Sequence, residues 1–438
     1  MSGLIIAAPR SGSGKTIVTL GLARHLRQRG TRIATAKVGP DYIDAGFLAA
    51  AGGRPCCNLD LWAMRPATLA HAIGALEAEA DFVLCEGVMG LFDGAGAEGA
   101  GSTAELASFT GWPVVLVVDL EGQAGSAAAL IAGFARHRDD VTIAGVIFNR
   151  IGSARHLRMA ETALRRALPE MRLLGAIPRD ANLSLPSRHL GLVPAGETRA
   201  LDHMIEGAAH SIAGAIDDDA ILALARPARL GLGDAASSLP PLGARIATAH
   251  DQAFVFAYDS VLSGWRKQGA ALQFFSPLAG EAPPLDADAI YLPGGYPELF
   301  AARIAANRGF LDGLRDAARR GAVVYGECGG YMVLGQGLID GGGQRHAMGG
   351  LLPLTTSFAA RRLQLGYRAA TLIERCRLGE AGQSFRGHEF HYATIIEEGG
   401  AAHPLYRSAD SDGGVLGTAG LVAGSVMGSF IHLIDHAD

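Results

Sequence analysis

Residues 4–16 read LIIAAPRSGSGKT, a short apolar run followed by a loop of Gly and Ser that ends in Lys15 and Thr16, with a helical pattern beginning at Ile17. This is the order of a strand, a phosphate-binding loop and a helix. Backbone N–H groups and the helix N-terminus can cradle a phosphate there, with Gly12 and Gly14 letting the loop close around it. Lys15 is placed to neutralise charge on the β and γ phosphates, and Thr16 to ligate Mg²⁺. Pro9 stands where the first glycine of the usual motif would be, so the loop is a variant.

Outward from this loop, short β-branched runs alternate with longer Ala- and Leu-rich helical patterns. Strands are expected at 4–8, 32–38, 82–86, 113–119, 142–149 and 173–177, and helices at 17–29, 67–80, 124–137 and 154–168. Such alternation builds βαβ units around a buried parallel sheet, so the first half reads as a doubly wound α/β domain. Ligands of such sheets bind beyond the carboxyl ends of the strands. Two acidic clusters fall there. KVGPDYIDAGF (37–47) supplies Lys37, Asp41 and Asp44, and CEGVMGLFDG (85–94) supplies Glu86 and Asp93. Mg²⁺ takes oxygen ligands and keeps several waters, so one or two of these carboxylates suffice. Each alone is an ordinary turn former; four together at strand ends point to a site. Asn149 closes the strand in GVIFNR, where its amide could read the edge of a nucleotide base.

Around 226–243 the sequence RPARLGLGDAASSLPPLG loses periodicity and fills with Gly, Pro and Ser, as a connector does. The expected domains are therefore 1–225 and 244–438, joined by 226–243. The second domain opens with a strand at 245–249, followed by strands at 289–292 and 322–325 and a surface helix at 310–319.

In that half, AVVYGECGGYMVLG runs from a buried strand through Gly326, Glu327, Cys328, Gly329 and Gly330 into a short helix. Glycines on both sides of one nucleophilic residue allow the tight strand-to-helix elbow that presents it. Cys328 is the candidate nucleophile, and a helix N-terminus is expected to favour its thiolate. Gly295 in LPGGYPE and Gly329 can offer N–H groups to an oxyanion. His432 in GSFIHLIDH is the candidate base. GHEFHY holds His388, Glu389 and His391, but in a strand the two histidines point to opposite faces, so no metal is expected.

At 438 residues the chain is long enough for two or three domains, and 49% hydrophobic against 18% charged residues allows a substantial core. A net charge of -5 gives no general attraction to nucleic acid or anionic membrane. The five cysteines lack paired spacings, which fits a reducing, cytoplasmic setting. The N-terminus has no basic region before its apolar run, so no signal peptide is expected. The uncharged stretch near 420–434 is broken by Gly, Ser and His and is too short to cross a bilayer.

The motifs APRSGSGKT, KVGPDYIDAGF, CEGVMGLFDG, LPSRHLGLVPAGE (185–197), YLPGGYPEL (291–299), GECGGYMVLG and GHEFH resemble, in order, those of the cobyrinic/hydrogenobyrinic acid a,c-diamide synthase family. The resemblance covers nearly the whole chain. It implies a dethiobiotin-synthetase-like domain that uses ATP and Mg²⁺, joined to a class I glutamine amidotransferase domain. The implied activity is amidation of the a and c acetate side chains of a corrin ring in cobalamin biosynthesis, through acyl phosphates, with ammonia from glutamine. The metal-free ring is the expected substrate, with cobyrinic acid or nickel-sirohydrochlorin as alternatives.

The resemblance assigns ATP binding to Gly12, Gly14, Lys15, Thr16, Lys37 and Asn149, and Mg²⁺ to Thr16, Asp41 and Glu86. It leaves Asp44, Asp93, Arg188 and His189 for the polycarboxylate substrate and its activation. Glutaminase chemistry falls to Cys328 and His432. One departure stands out: class I amidotransferases carry H-x-E, whereas His432 is followed by Leu433 and Ile434, and Asp435 should point elsewhere. A different reading is a P-loop switch ATPase with a vestigial glutaminase-like partner, which the intact GECGG elbow argues against. The oligomeric state is open, a homodimer being one arrangement the sequence allows.

Overall fold

The computed structural model describes residues 2–96, 99–180, 198–230 and 239–437, with backbone alone for 198–200. The chain forms two compact units: Met1–Trp62 with Leu69–Ala235, and Ala63–Thr68 with Ala236–Asp438.

The first unit is built on seven parallel strands: β1 (Ser2–Ala7), β2 (Ile33–Val38), β3 (Cys57–Leu59), β4 (Phe82–Glu86), β5 (Val114–Asp119), β6 (Ile143–Ile151) and β7 (Leu173–Pro178). They lie in the order β3-β2-β4-β1-β5-β6-β7. Every residue of β2, β4 and β5 is buried, as expected where helices cover both faces of a parallel sheet. That double burial is why these strands read as unbroken apolar runs. Helix α1 (Lys15–Gln28) packs Val18, Leu22 and Leu26 inward. Helix α2 (Tyr42–Gly52) begins at Asp41, whose side chain accepts hydrogen bonds from the N–H groups of Ile43 and Asp44. A cap of this kind is worth about 1 kcal/mol. The doubly wound parallel architecture expected from the sequence is present, with β3 as a short addition.

The second unit holds a ten-stranded mixed sheet. Its parallel part is β8 (Arg245–Ala249), β9 (Ala271–Phe275), β10 (Ala289–Leu292) and β11 (Val323–Glu327). The rest is β12 (Gln364–Leu372), β13 (Ser384–His391), β14 (His403–Ala409), β15 (Val415–Ala423), β16 (Val426–Ser429) and β17 (Ile431–His436). The order is β17-β13-β12-β14-β15-β16-β11-β10-β8-β9. β16 joins β11 in parallel, with Glu327 opposite Ser429, while β17 pairs antiparallel with β13, with His432 opposite His388. These two pairings carry the C-terminal histidine to the end of the strand that precedes Cys328. A short helix, α3 (Gly329–Leu334), follows the cysteine. No helix among the described residues is long and apolar enough to cross a membrane.

Candidate active sites

The loop after β1 turns on Gly12 (φ 81°) and Gly14 (φ 85°), both in the left-handed region where a side chain is strained. Gly14 has a second reason to be glycine: a Cβ there would lie 2.2 Å from Nδ2 of Asn149. Asn149, at the end of β6, donates from that nitrogen to the carbonyl of Ser13 at 2.9 Å. One N–H of its amide thus holds the loop.

Lys15 opens α1 and turns to the end of β4, where its Nζ donates to Oε1 of Glu86 at 2.8 Å and to the carbonyl of Gly87. Thr16 Oγ1 donates to the same carboxylate oxygen at 2.7 Å. Lys37, near the end of β2, reaches it from the other side at 3.1 Å and bonds Oδ2 of Asp44 at 2.7 Å. The parallel register sets Lys37 directly opposite Glu86, so the cluster follows from strand pairing.

Burial alone would raise the Glu86 carboxyl, but Lys15 and Lys37 outweigh it and pull it down to about 2. Lys37 is likewise opposed by burial, yet Glu86, Asp44 and Asp41 hold its proton tightly. Lys15 goes the other way: burial, with Lys37 nearby, pushes it below the usual lysine value. Glu86 is 0% exposed, and its Oε2 has no hydrogen-bond partner among the described residues. An unsatisfied carboxylate oxygen in a buried site is costly. Beside a Thr hydroxyl, with Asp41 lining the same cavity, it fits the oxygen ligation that Mg²⁺ prefers.

These residues border a cavity of about 680 Å³ lined by Gly12, Gly14, Lys15, Thr16, Lys37, Asp41, Asp44 and Asn149. That volume suits a small-molecule ligand. The expected site residues Gly12, Gly14, Lys15, Thr16, Lys37, Asp41, Asp44 and Asn149 are therefore brought together on one cavity, with Glu86 bonded to Lys15, Thr16 and Lys37. Asp93 is not among them. Its Oδ2 accepts from the N–H of Gly90 at 2.9 Å, in the turn after β4. Arg188 and His189 lie outside the described residues.

The sequence reading passed over Arg10 and Arg150, which also line the cavity. Arg150 has φ 58° and bonds the buried Asp119 at 2.6 Å; Arg10 approaches the same oxygen at 3.5 Å. The signal available was an Asp ending the apolar strand VVLVVD, a buried charge that needs a partner.

In the second unit, Cys328 has φ 48° and ψ −105°, a strained conformation for a residue other than glycine. Its N–H donates to the carbonyl of Ser429 at 2.8 Å, which ties the elbow to β16. The glycines allow the tight turn: a Cβ on Gly330 would lie 1.9 Å from the carbonyl oxygen of Leu292. Gly329 lies against Gly295, since a Cβ on Gly329 would stand 3.0 Å from the Gly295 nitrogen. The two candidate oxyanion donors are thus neighbours.

His432 is also neighbour to the cysteine. A side chain on Gly294 would place its first carbon 2.3 Å from Cε1 of His432, 3.1 Å from Nε2 and 3.3 Å from Cβ of Cys328. Cys328 is 3% exposed and His432 1% exposed. Burial, with His388 and His391 close by, lowers the imidazole to about 3, so His432 is neutral at neutral pH. The expected thiolate needs correction. Burial pushes the Cys328 thiol up, Glu298 adds to the effect, and a helix of six residues is too slight to reverse it. His432 is then needed to take the proton at the moment of attack.

Asp435 is directed away from His432, as its position implied. Its oxygens accept from the N–H and guanidinium of Arg65, at 2.7 Å to Nη2, and from Thr68. His388 packs on Tyr367, while His391 stacks on Phe430 and pairs with Glu389, itself held by Arg368.

Residues 4–193 match the CobQ/CobB/MinD/ParA nucleotide binding domain, and residues 245–438 match the CobB/CobQ-like glutamine amidotransferase domain. The chain is 53% identical to a hydrogenobyrinate a,c-diamide synthase of Rhizobium meliloti (strain 1021), with 100% of each chain covered. A protein of the same name from Brucella anthropi is 52% identical, with 99% of each chain covered. Another from Rhodobacter capsulatus is 50% identical over 99% of this chain and 98% of its own. The similarity spans the whole chain, and the chain belongs to the hydrogenobyrinate a,c-diamide synthase family.

Proposed function

We propose that the chain amidates the a and c acetate side chains of hydrogenobyrinic acid in cobalamin biosynthesis, using ATP and ammonia drawn from glutamine or from solution. The observation that carries this reading is the presence in one chain of a phosphate loop whose Lys15 shares Glu86 with Lys37, and of a strained, buried cysteine beside a neutral histidine.

In the first unit a substrate carboxylate oxygen attacks the γ-phosphorus of ATP and ADP leaves, giving an acyl phosphate. Lys15 and Lys37 neutralise the phosphoryl charge, and the loop N–H groups from Gly12 to Thr16 fix its position. Thr16, Glu86 and Asp41 would hold Mg²⁺, which when bound supplies further neutralisation of phosphate charge. Asp44 keeps Lys37 directed at the reacting group. Arg188 and His189 are assigned to the carboxylates of the substrate. Ammonia then attacks the acyl carbon, phosphate departs with the C–O electron pair, and loss of a proton leaves the primary amide.

In the second unit Sγ of Cys328 attacks the side-chain amide carbon of glutamine while His432 takes the thiol proton and passes it to the departing ammonia. The N–H groups of Gly295 and Gly329 stabilise the oxyanion. Water hydrolyses the thioester and releases glutamate. None of the five cysteines forms a disulfide, in keeping with a cytoplasmic enzyme.

Incubation with ATP, Mg²⁺ and glutamine against hydrogenobyrinic acid, cobyrinic acid and nickel-sirohydrochlorin in parallel, with amides counted by mass spectrometry, tests the substrate. Two amides on the metal-free ring, formed faster than on either metallated one, are expected. Preference for a metallated ring would overturn that choice.

A further inference from the structure

We infer that Glu327, the residue before the nucleophile, serves as the carboxylate partner of His432 in glutamine hydrolysis, in place of the glutamate missing two residues after the histidine. The inference rests on the glutaminase reading above. Oε2 of Glu327 lies 3.9 Å from Nδ1 of His432, with both side chains almost wholly buried. The opposite edge of the ring, Cε1 and Nε2, borders Gly294 beside Cys328. The imidazole therefore has its Nδ1 toward the carboxylate and its Cε1–Nε2 side toward the glycine that the Cys328 Cβ also borders, while the thiol itself contacts the Phe390 carbonyl at 3.7 Å. In this arrangement a proton taken from sulfur creates an imidazolium whose charge a carboxylate can stabilise.

The Glu327 carboxylate is held from three sides. Tyr291 OH donates to Oε2 at 2.7 Å; Tyr325 OH at 2.9 Å and the Leu433 N–H at 3.1 Å donate to Oε1. Those strands, β10, β11 and β17, are the ones that also position Cys328 and His432. At 3.9 Å the contact is longer than a hydrogen bond, so the carboxylate would act on the ring through its charge, when ionised. Asp435 cannot take the role, being committed to Arg65 and Thr68.

Burial raises the Glu327 carboxyl to about 7, while Tyr291, the Leu433 N–H and Tyr325 favour its ionised form. Tyr291, Tyr325 and Tyr406 face Glu327; His388, His391 and Glu389 face His432; Glu298 and Glu389 face Cys328.

The test measures glutamine-dependent and ammonia-dependent amidation across pH 6–9 for the unmodified chain, Glu327→Gln, His432→Ala, the double variant and Tyr291→Phe. Glu327→Gln should lower the glutamine-dependent kcat roughly 10²-fold, with KM little changed and the ammonia-dependent rate retained. Added to His432→Ala it should cost nothing further, because its effect runs through the histidine. Tyr291→Phe should move the acid limb of the glutamine-dependent profile to higher pH. A glutamine-dependent kcat within twofold of normal in Glu327→Gln would overturn the inference, as would an undiminished loss in the His432→Ala background or an unmoved limb in Tyr291→Phe. An unmodified chain that makes no amide from ammonia would instead overturn the ligase reading.

Discussion

Lys15 Nζ donates to Oε1 of Glu86 at 2.8 Å, so the lysine of the phosphate loop is neutralised by the carboxylate that ends β4. Binding of a phosphate must draw on this lysine while Lys37 keeps Glu86 ionised. Lys15→Ala should therefore lower amidation by roughly 10²- to 10³-fold with either nitrogen source, since a preorganised charge on the transferring group is lost. Steady-state rates with glutamine and with ammonium check this; near-normal rates would remove the loop from the mechanism.

Glu86→Gln should lower stability as well as activity. It leaves Lys15 and Lys37 without their shared buried carboxylate, and breaking a buried ion pair costs about 3–5 kcal/mol. Because the folded chain holds the Glu86 carboxyl down at about 2, its stabilising contribution is complete above the ordinary glutamate value of 4.5 and is lost as pH falls toward 2. Urea denaturation at pH 7 and pH 4 should show a gap between parent and variant that narrows at the lower pH. A gap that widens would contradict the assignment.

Asp41 and Asp93 should separate. Asp93→Asn keeps an acceptor for the Gly90 N–H and should leave the Mg²⁺ dependence unchanged, whereas Asp41→Asn should raise the Mg²⁺ concentration needed for half-maximal rate. Magnesium titrations of both variants decide it, and a shift in Asp93→Asn alone would reverse the two roles.

Glu327 should leave a signature in stability. Its carboxyl rises from 4.5 to about 7 on folding, so the folded chain binds this proton more tightly and loses stability as pH climbs between those values. The loss amounts to roughly 3 kcal/mol. Glu327→Gln should lack that component when urea midpoints at pH 5 and pH 8 are compared. An unchanged pH dependence in the variant would place Glu327 outside this buried environment.

The phosphate loop was legible because LIIAAPRSGSGKT joins a buried strand, special glycines and a helix start within a few residues, all of them local signals. Its partners Lys37 and Glu86 were legible as strand ends, and parallel register then puts them opposite each other. The cysteine elbow was legible for the same local reason. Distance in sequence hid the rest: Glu327 meets His432 only because β11 and β17 come together, and no spacing within GECGG foretells it. The antiparallel strands at 364–372 and 415–423 were missed because partly exposed runs such as QLGYRAATL lack the apolar continuity that marked β4 and β5.

The central claim is that one chain makes ammonia at Cys328 and spends it at a separate ATP-dependent site, and Cys328→Ala tests this most directly. With hydrogenobyrinic acid, ATP and Mg²⁺, diamide formation by the variant should fall by several orders of magnitude when glutamine is the nitrogen source. With concentrated ammonium at alkaline pH it should approach that of the unmodified chain, because Lys15, Thr16 and Glu86 are untouched. Full glutamine-dependent activity in the variant, or loss of ammonia-dependent activity while it remains folded, would contradict the account.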